Sequence, residues 1–308
     1  NTYTSIEPRD IAKLLESLHW QHSAFCMACG SYSCHAVYRD RKKTYFVCEQ
    51  CGLIRLSYFD EQIIKYSDRA YFFEEYKEQY GKTYLEDMDN LRKFARTRLD
   101  IIEKLLPNKG KILDIGCAYG AFVKEAQDSG WKPVGLDISQ SATDYVKETW
   151  KIPALCTDFA AEHLDGFIPQ GNDCITLWYV IEHFETLGLV LSRINQLLRV
   201  GGILAFSTPS GNGVSARYNK RNFYKNSPDD HWTIWNPRTV QNILSRYGFA
   251  VKFVRVTGHH PERFPFFKAK PGSIIFKSLR TISKLFGLGD TFECYAVKVR
   301  NLDLPFTL

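Results

Sequence analysis

Four cysteines fall in two pairs, Cys26-Met-Ala-Cys29-Gly and Cys48-Glu-Gln-Cys51-Gly, with eighteen residues between them. Two C-x-x-C knuckles at this separation, each followed by a glycine that lets the backbone wrap around a metal, match a four-thiolate zinc ribbon. Cys26, Cys29, Cys48 and Cys51 are the expected ligands; Cys34 and His35 lie between the knuckles as substitutes. Four thiolates leave no open coordination position, so the expected metal is structural. A second chemical stretch is Lys111-Ile-Leu-Asp-Ile-Gly-Cys-Ala-Tyr-Gly-Ala-Phe122, a short apolar run closed by a small-residue turn. Small residues at Gly116, Ala118 and Gly120 allow a ligand to approach the backbone, with a helix N-terminus behind it. Twenty-one residues after Gly116 a second apolar stretch ends in Asp137. That spacing suits a carboxylate taking the two ribose hydroxyls of an adenosine cofactor. Two titratable pairs follow, Glu182-His183 and Asp230-His231, and a histidine titrates near neutrality.

The elements that must position these residues alternate between strand and helix. Strands are expected at 111–115, 133–138, 153–159, 173–178, 200–209 and 250–256. Helices are expected at 121–128, 141–149, 187–198 and 236–247, the last capped by Asn236 with Pro237 in its first turn. This is the order of a parallel nucleotide-binding sheet. Before it, residues 8–19 read as a short amphipathic helix. Residues 58–106 are aromatic and helical, with Tyr76, Tyr80 and Tyr84 on one face where they could close over a cofactor. Ser210 to Asn236 is long and shows no regular pattern, and it leaves the strand end where such sheets bind ligands, so it reads as an acceptor-site lid. The expected units are 1–57 (helix and ribbon), 58–106 (helical linker or lid) and 107–308 (the sheet domain, with insertions at 210–236 and 258–289).

At 308 residues, with 44% hydrophobic and 24% charged residues, the composition is that of an ordinary globular chain. No apolar run approaches the roughly 18 residues of a membrane span. Asn1-Thr-Tyr-Thr carries no basic and apolar leader pattern, and nine cysteines with a metal-type spacing fit a reducing compartment, so the expectation is cytoplasmic. Residues 258–289 hold six Lys/Arg against Glu262, or +5 of the net +6. The near-neutral remainder argues against a protein coated for nucleic acid. Within that basic segment Ile275, Leu279, Ile282 and Phe286 share a helical face. A helix covering the sheet is the expected reading, with a peripheral membrane contact through 271–286 as the sharper one.

A dinucleotide fingerprint would place glycine at position 121, where this chain has Ala121. The G-x-A-x-G pattern preceded by Asp114 instead resembles motif I of the class I S-adenosylmethionine-dependent methyltransferases, with Ala118 for the middle glycine. Leu-Trp-Tyr-Val-Ile-Glu-His (177–183) and Leu-Leu-Arg-Val-Gly-Gly-Ile-Leu-Ala-Phe-Ser-Thr-Pro (197–209) resemble the motifs after strands four and five in a bacterial group of these enzymes. That group is similar to the ubiquinone-biosynthesis O-methyltransferases, and many of its members carry a cysteine-pair segment like residues 26–53. The resemblance runs over about 26–260 and adds 289–298 as the final strand. It implies an α/β, Rossmann-like seven-stranded methyltransferase sheet with one reversed edge strand and a small N-terminal zinc ribbon.

It also implies S-adenosylmethionine as cofactor, met by Asp114, Gly116, Cys117, Ala118, Gly120, Asp137, Ile138, Asp158, Phe159, Trp178 and Tyr179. The 116–120 amides would face it, Asp158 would accept from the adenine amino group and Phe159 would lie against the ring. The implied reaction is methylation of a small-molecule or glycan- or lipid-linked acceptor, on oxygen first. His183 is the expected base, with His231 and Asp230 as alternatives and Glu182 turned into the sheet. A zinc-ribbon ribosomal-RNA methyltransferase and a non-catalytic cofactor-binding subunit are the rival readings. The first lacks the Asn/Asp-Pro-Pro-Tyr motif of base-amino methylators after strand four.

Overall fold

A computed structural model describes residues 25–58, 76–77, 81–161, 168, 170–257, 263–264, 270 and 272–302. The helix expected at 8–19, Tyr80 and most of 59–75 and 258–269 lie outside the described residues.

The apolar run at Lys111–Ile115 is β4, an interior strand of a seven-stranded sheet. The chain continues through α2 (Ala121–Asp128), β5 (Lys132–Asp137), α3 (Gln140–Trp150) and β6 (Ala154–Cys156), stepping outward to one edge. It then returns to the other side of β4 with β7 (Asn172–Trp178) and β8 (Leu198–Pro209), both parallel to it. Adding β10 (Phe249–Thr257) and β11 (Thr291–Lys298) gives the spatial order β10-β11-β8-β7-β4-β5-β6. The strand order reverses at β4, and the crevice beyond the strand ends at such a point is where α/β sheets take ligands.

Both sheet faces are covered, which is why the central strands read as unbroken apolar runs rather than as alternation. Helix α1 (Met88–Leu105) buries Ala95, Leu99 and Ile102 on one face, against Ile112, Cys174 and Ile203. Helix α4 (Leu187–Leu197) buries Val190, Leu191 and Ile194 on the other, in a core shared with Leu113, Ile175 and Phe206.

A second sheet has the order β1-β2-β3-β9, from β1 (Cys34–Arg39), β2 (Lys43–Cys48), β3 (Ile54–Tyr58) and β9 (Thr233–Ile234). It docks on the larger domain through the cysteine knuckles. Cys26, Cys48, Cys51 and Leu53 share one core with Ile243, Leu244 and Tyr247, and the Tyr247 hydroxyl donates to Ala28 O at 2.6 Å.

Three expectations are corrected here. The reversed strand is not at the edge: β11 lies between β8 and β10, antiparallel to both, and is buried almost throughout. Segment 210–236 is not irregular. It holds α5 (Val214–Tyr218), α6 (Lys220–Asn226) and β9, elements too short to imprint a period on the sequence. The helix expected at 236–247 is α7 (Val240–Leu244) followed by a tighter turn at Ser245–Tyr247. Helix α8 (Ile274–Leu285) packs on β10 through Leu279 and Ser283. Ile275, Ile282 and Phe286, expected on the same covered face, are exposed, together with Ile274 at 83%. No helix among the described residues is long and apolar enough to cross a membrane.

Candidate active site

The small-residue turn after β4 is built on backbone conformations that side chains disfavour. Gly116 has φ 76°, and a Cβ there would stand 2.3 Å from Val180 Cγ2; Gly120 has φ 85°. Ala118 takes φ 47° despite its methyl group. That twist sends the Ala118 N–H onto Asp137 Oδ2 at 2.8 Å, while the Ser139 N–H meets Oδ1 at 2.9 Å. Asp137, at the end of β5 and 8% exposed, is thus fixed before any ligand arrives.

Most of the turn's amides, expected to face a cofactor, are engaged within the protein. Gly116 and Cys117 N–H both donate to Leu136 O, and Gly120 N–H to Cys117 O. With the Ala118 N–H on Asp137, four of the turn's five amides are held within the protein. Tyr84 packs on Tyr119 within the turn, with ring centres 6.1 Å apart, and Tyr76 packs on Tyr84 at 5.3 Å. Tyr76 and Tyr84 of the expected tyrosine face therefore lie against this turn, but through a bend at 81–87 rather than on one continuous helix.

Other residues expected at the cofactor divide by exposure. Ile138 is half exposed beside Asp137, and Asp158 is exposed after β6, holding the Ala160 N–H at 2.8 Å. Tyr179, just past β7, has φ 60° and is partly exposed, its N–H held by Ser207 O at 3.0 Å. A non-glycine residue in this region at a strand end marks strain of the kind that collects at functional sites. Trp178 lies under the Arg98 guanidinium at 4.2 Å and against Phe122. Three residues turn inward instead. Asp114 is buried and takes the Thr176 hydroxyl at 2.6 Å; burial pushes its carboxyl up to about 7. The Cys117 side chain fills the space over Gly135. Phe159 is buried against Phe184 and beneath Arg193, which leaves it no open face for a ring.

On the same edge, a turn at Ile181–His183 carries the first titratable pair. Adjacent positions face apart here: Glu182 is 1% exposed, and its Oε2 has no hydrogen-bond partner among the described residues. Burial pushes its carboxyl up to about 7. His183 points to the segment before β9, with Nδ1 3.1 Å from Asp230 Oδ2. The His231 ring stands perpendicular to it at 4.8 Å. Burial opposes a charged His183, but the Asp230 hydrogen bond and the carboxylate of Glu182 carry its pKa above the ordinary 6.5. His231 is driven the other way, to about 4, by burial and then by the neighbouring His183. Burial opposes ionisation of Asp230, yet its bond to His183 leaves its pKa lowered.

The four knuckle cysteines come together as the spacing implied. Their sulfurs lie within 4.8 Å of one another, with Cys26–Cys51 at 3.6 Å and Cys29–Cys48 at 3.5 Å. A zinc tetrahedron with bonds of about 2.3 Å has edges of about 3.8 Å, so the cluster is compatible with zinc as it stands. The charge around it also fits. Arg55 is buried, with no hydrogen-bond partner for Nε and Nη2 among the described residues, and burial lowers its pKa. Cys34 bonds Ser31 O and His35 bonds Glu49, so neither joins the cluster.

Some contributors carried no local signal. Ser139, which caps α3 and fixes Asp137, could have been read as an N-cap. Arg98, which reaches Glu293 at 3.1 Å across 195 positions, could not.

Comparison with known proteins sets this geometry in a family. A family model described as a methyltransferase domain matches residues 84–252, more than half of the chain. The ubiquinone biosynthesis O-methyltransferase of Coxiella burnetii is 27% identical over 155 residues, which cover 49% of this chain and 63% of that protein. That of Aromatoleum aromaticum is 30% identical over 124 residues, covering 37% and 51%. The chain thus spans less than two thirds of the length of these curated relatives. Among solved structures, an S-adenosylmethionine-dependent methyltransferase from Archaeoglobus fulgidus superposes with a TM-score of 0.51 at 19% identity, over 72% of this chain and 98% of that one. At that identity the likeness is one of fold. With its seven-stranded sheet, its turn locked to Asp137 and the match over residues 84–252, the chain belongs to the methyltransferase-domain family.

Proposed function

We propose that the protein transfers a methyl group from S-adenosylmethionine to an oxygen of a small-molecule or glycan- or lipid-linked acceptor. The observation that carries this reading is the shared edge. Asp137 at the end of β5, locked to the glycine turn, and strained Tyr179 and His183 just past β7 stand on the same sheet edge on either side of β4, and the segment before β9 brings Asp230 to His183. S-adenosylmethionine, when bound, supplies a methyl group already activated on its sulfonium. The chain's residues then have three tasks. Asp137 holds the ribose hydroxyls, Ile138 lies along the adenine, and Asp158 accepts from the amino group. The tyrosine face on the turn helps exclude water. His183 removes the acceptor proton: with Nδ1 held by Asp230, Nε2 is free to accept, and the imidazolium that forms is stabilised by the same carboxylate. His231, with its pKa near 4, is the weaker base, and Asp230 is committed to His183. Isothermal calorimetry tests the cofactor assignment. One S-adenosylmethionine per chain with no binding of NAD is expected; the reverse would refute it.

The dyad makes a prediction of its own. Because Asp230 favours the charged imidazole, Asp230→Asn should lower the pKa of His183, read from its ring resonances by NMR. An unchanged titration would mean that the pair does not exist in solution. The sign for stability follows: with the folded pKa above 6.5, the pair stabilises the fold below about pH 6.5 and loses that contribution as pH rises through the folded value.

A single zinc ion held by Cys26, Cys29, Cys48 and Cys51 completes the reading. A four-thiolate site needs reduced cysteines, which supports a reducing compartment such as the cytoplasm. Protein purified without chelator should carry one zinc per chain, and Cys48→Ser should carry less; equal metal in both would contradict the ligand set. The exposed Ile274, Ile275, Leu285 and Phe286 of α8, near Lys277 and Arg280, support a peripheral membrane contact serving a lipid-linked acceptor. Co-sedimentation with anionic liposomes, abolished by Ile274→Glu/Leu285→Glu, is the expected result.

A further inference from the structure

We propose that the cysteine ribbon is a positioning device for the acceptor side of the site: metal loading sets the register of β3, and β3 holds the segment that brings Asp230 to His183. This rests on the reading of His183 and Asp230 as the acceptor-side pair.

The connection can be followed bond by bond. The second knuckle closes with Gly52 N–H to Cys48 O at 2.9 Å and Cys48 N–H to Leu53 O at 2.9 Å, and β3 starts at the next residue. One edge of β3 is taken by β2 and the other by β9, which pairs Ile54 with Ile234 and Arg55 with Thr233. Leu56 N–H extends the pairing to Trp232 O at 2.9 Å. Two side chains of the ribbon strands then reach past β9. The Tyr58 hydroxyl donates to Asp229 O, and buried Lys43 donates to Ser227 O at 2.7 Å and Asp229 Oδ1 at 3.0 Å. Asp230 is the next residue, and it faces His183 Nδ1 at 3.1 Å. Neither the 3.1 Å contact nor the edge-on placement of His231 survives a strand slip, because one residue of register is about 3.3 Å and reverses every face.

The metal enters through the same strand. Arg55 stands on β3 opposite Thr233, over the Phe46 ring at 5.1 Å, and its buried Nε and Nη2 have no hydrogen-bond partner among the described residues. Four thiolates holding zinc would form a dianion, a countercharge to this buried guanidinium that no carboxylate among the described residues supplies. Loading the knuckles therefore acts first on the strand that carries the lid segment, while β4, β5 and β7, which shape the cofactor side, meet the knuckles through the shared apolar core rather than by strand pairing.

Hydrogen exchange and calorimetry test this without an acceptor, so a wrong assignment of the base would not alter the outcome. Removing metal from the full-length protein with a chelator should speed exchange of the peptides covering 53–58 and 227–235 by about tenfold or more. Added zinc should restore their protection. Peptides of β4, β5 and β7 and the affinity for S-adenosylhomocysteine should not change. A Lys43→Met/Tyr58→Phe variant should keep its zinc and the same cofactor affinity, yet lose protection over 227–235. The proposal is overturned if the chelated protein protects 227–235 as before, or if chelation abolishes cofactor binding along with the fold. A double variant as protected as the parent overturns it too, and protein that purifies without metal overturns it together with the zinc assignment.

Discussion

Replacing His183 by alanine should lower turnover by about 10²–10⁴-fold while leaving the affinity for S-adenosylmethionine nearly unchanged. An activated methyl donor leaves the protein little to do beyond alignment and, for a hydroxyl acceptor, proton removal. His183 is the one member of its cluster suited to that. It is partly exposed, its Nδ1 is held by Asp230, and its pKa is raised rather than collapsed. Glu182 is buried behind it, and His231 has a pKa near 4. A His183→Ala protein with more than half the parental turnover would move the role to the 227–235 segment, or show that transfer needs no base.

The second large effect is expected at Asp137. Burying two ribose hydroxyls against an ionised acceptor contributes on the order of 1.5–3 kcal/mol, so Asp137→Ala should weaken S-adenosylmethionine by at least about tenfold in calorimetry. Asp137 also receives the Ala118 and Ser139 amides, and alanine would loosen the turn itself. Asp137→Asn separates the two contributions, since the amide oxygen can keep one of these bonds while the charge is lost. Both variants binding like the parent would remove Asp137 from the cofactor site.

What could be read from the sequence was what is local. The cysteine pairs, the glycine turn and the alternation of apolar runs with helical stretches each lie within a few residues, and they suffice for the seven-stranded sheet and the thiol cluster. Side-chain direction was less accessible. Asp114, Cys117 and Phe159 sit in the right stretches, yet they face Thr176, Gly135 and Phe184 because sheet neighbours far away in sequence decide which side is inside. Pairings between distant segments could not be read at all. β9 is two residues long and gains its identity only from β3, some 180 positions earlier. β11 reads as a last strand, but its place between β8 and β10 is a matter of topology. On α8 the apolar face is real; only part of it meets the sheet, and no local pattern says which part.

The central claim is methyl transfer to a small acceptor, and one measurement bears on it most directly. The zinc-loaded protein would be incubated with methyl-labelled S-adenosylmethionine and, in parallel, extracted metabolites, nucleotide sugars, lipid extracts and RNA. The expected result is label in a small-molecule, glycan or lipid fraction, lost in His183→Ala and absent from RNA. Label confined to RNA, or no label in any fraction from protein that binds S-adenosylmethionine by calorimetry, would contradict it.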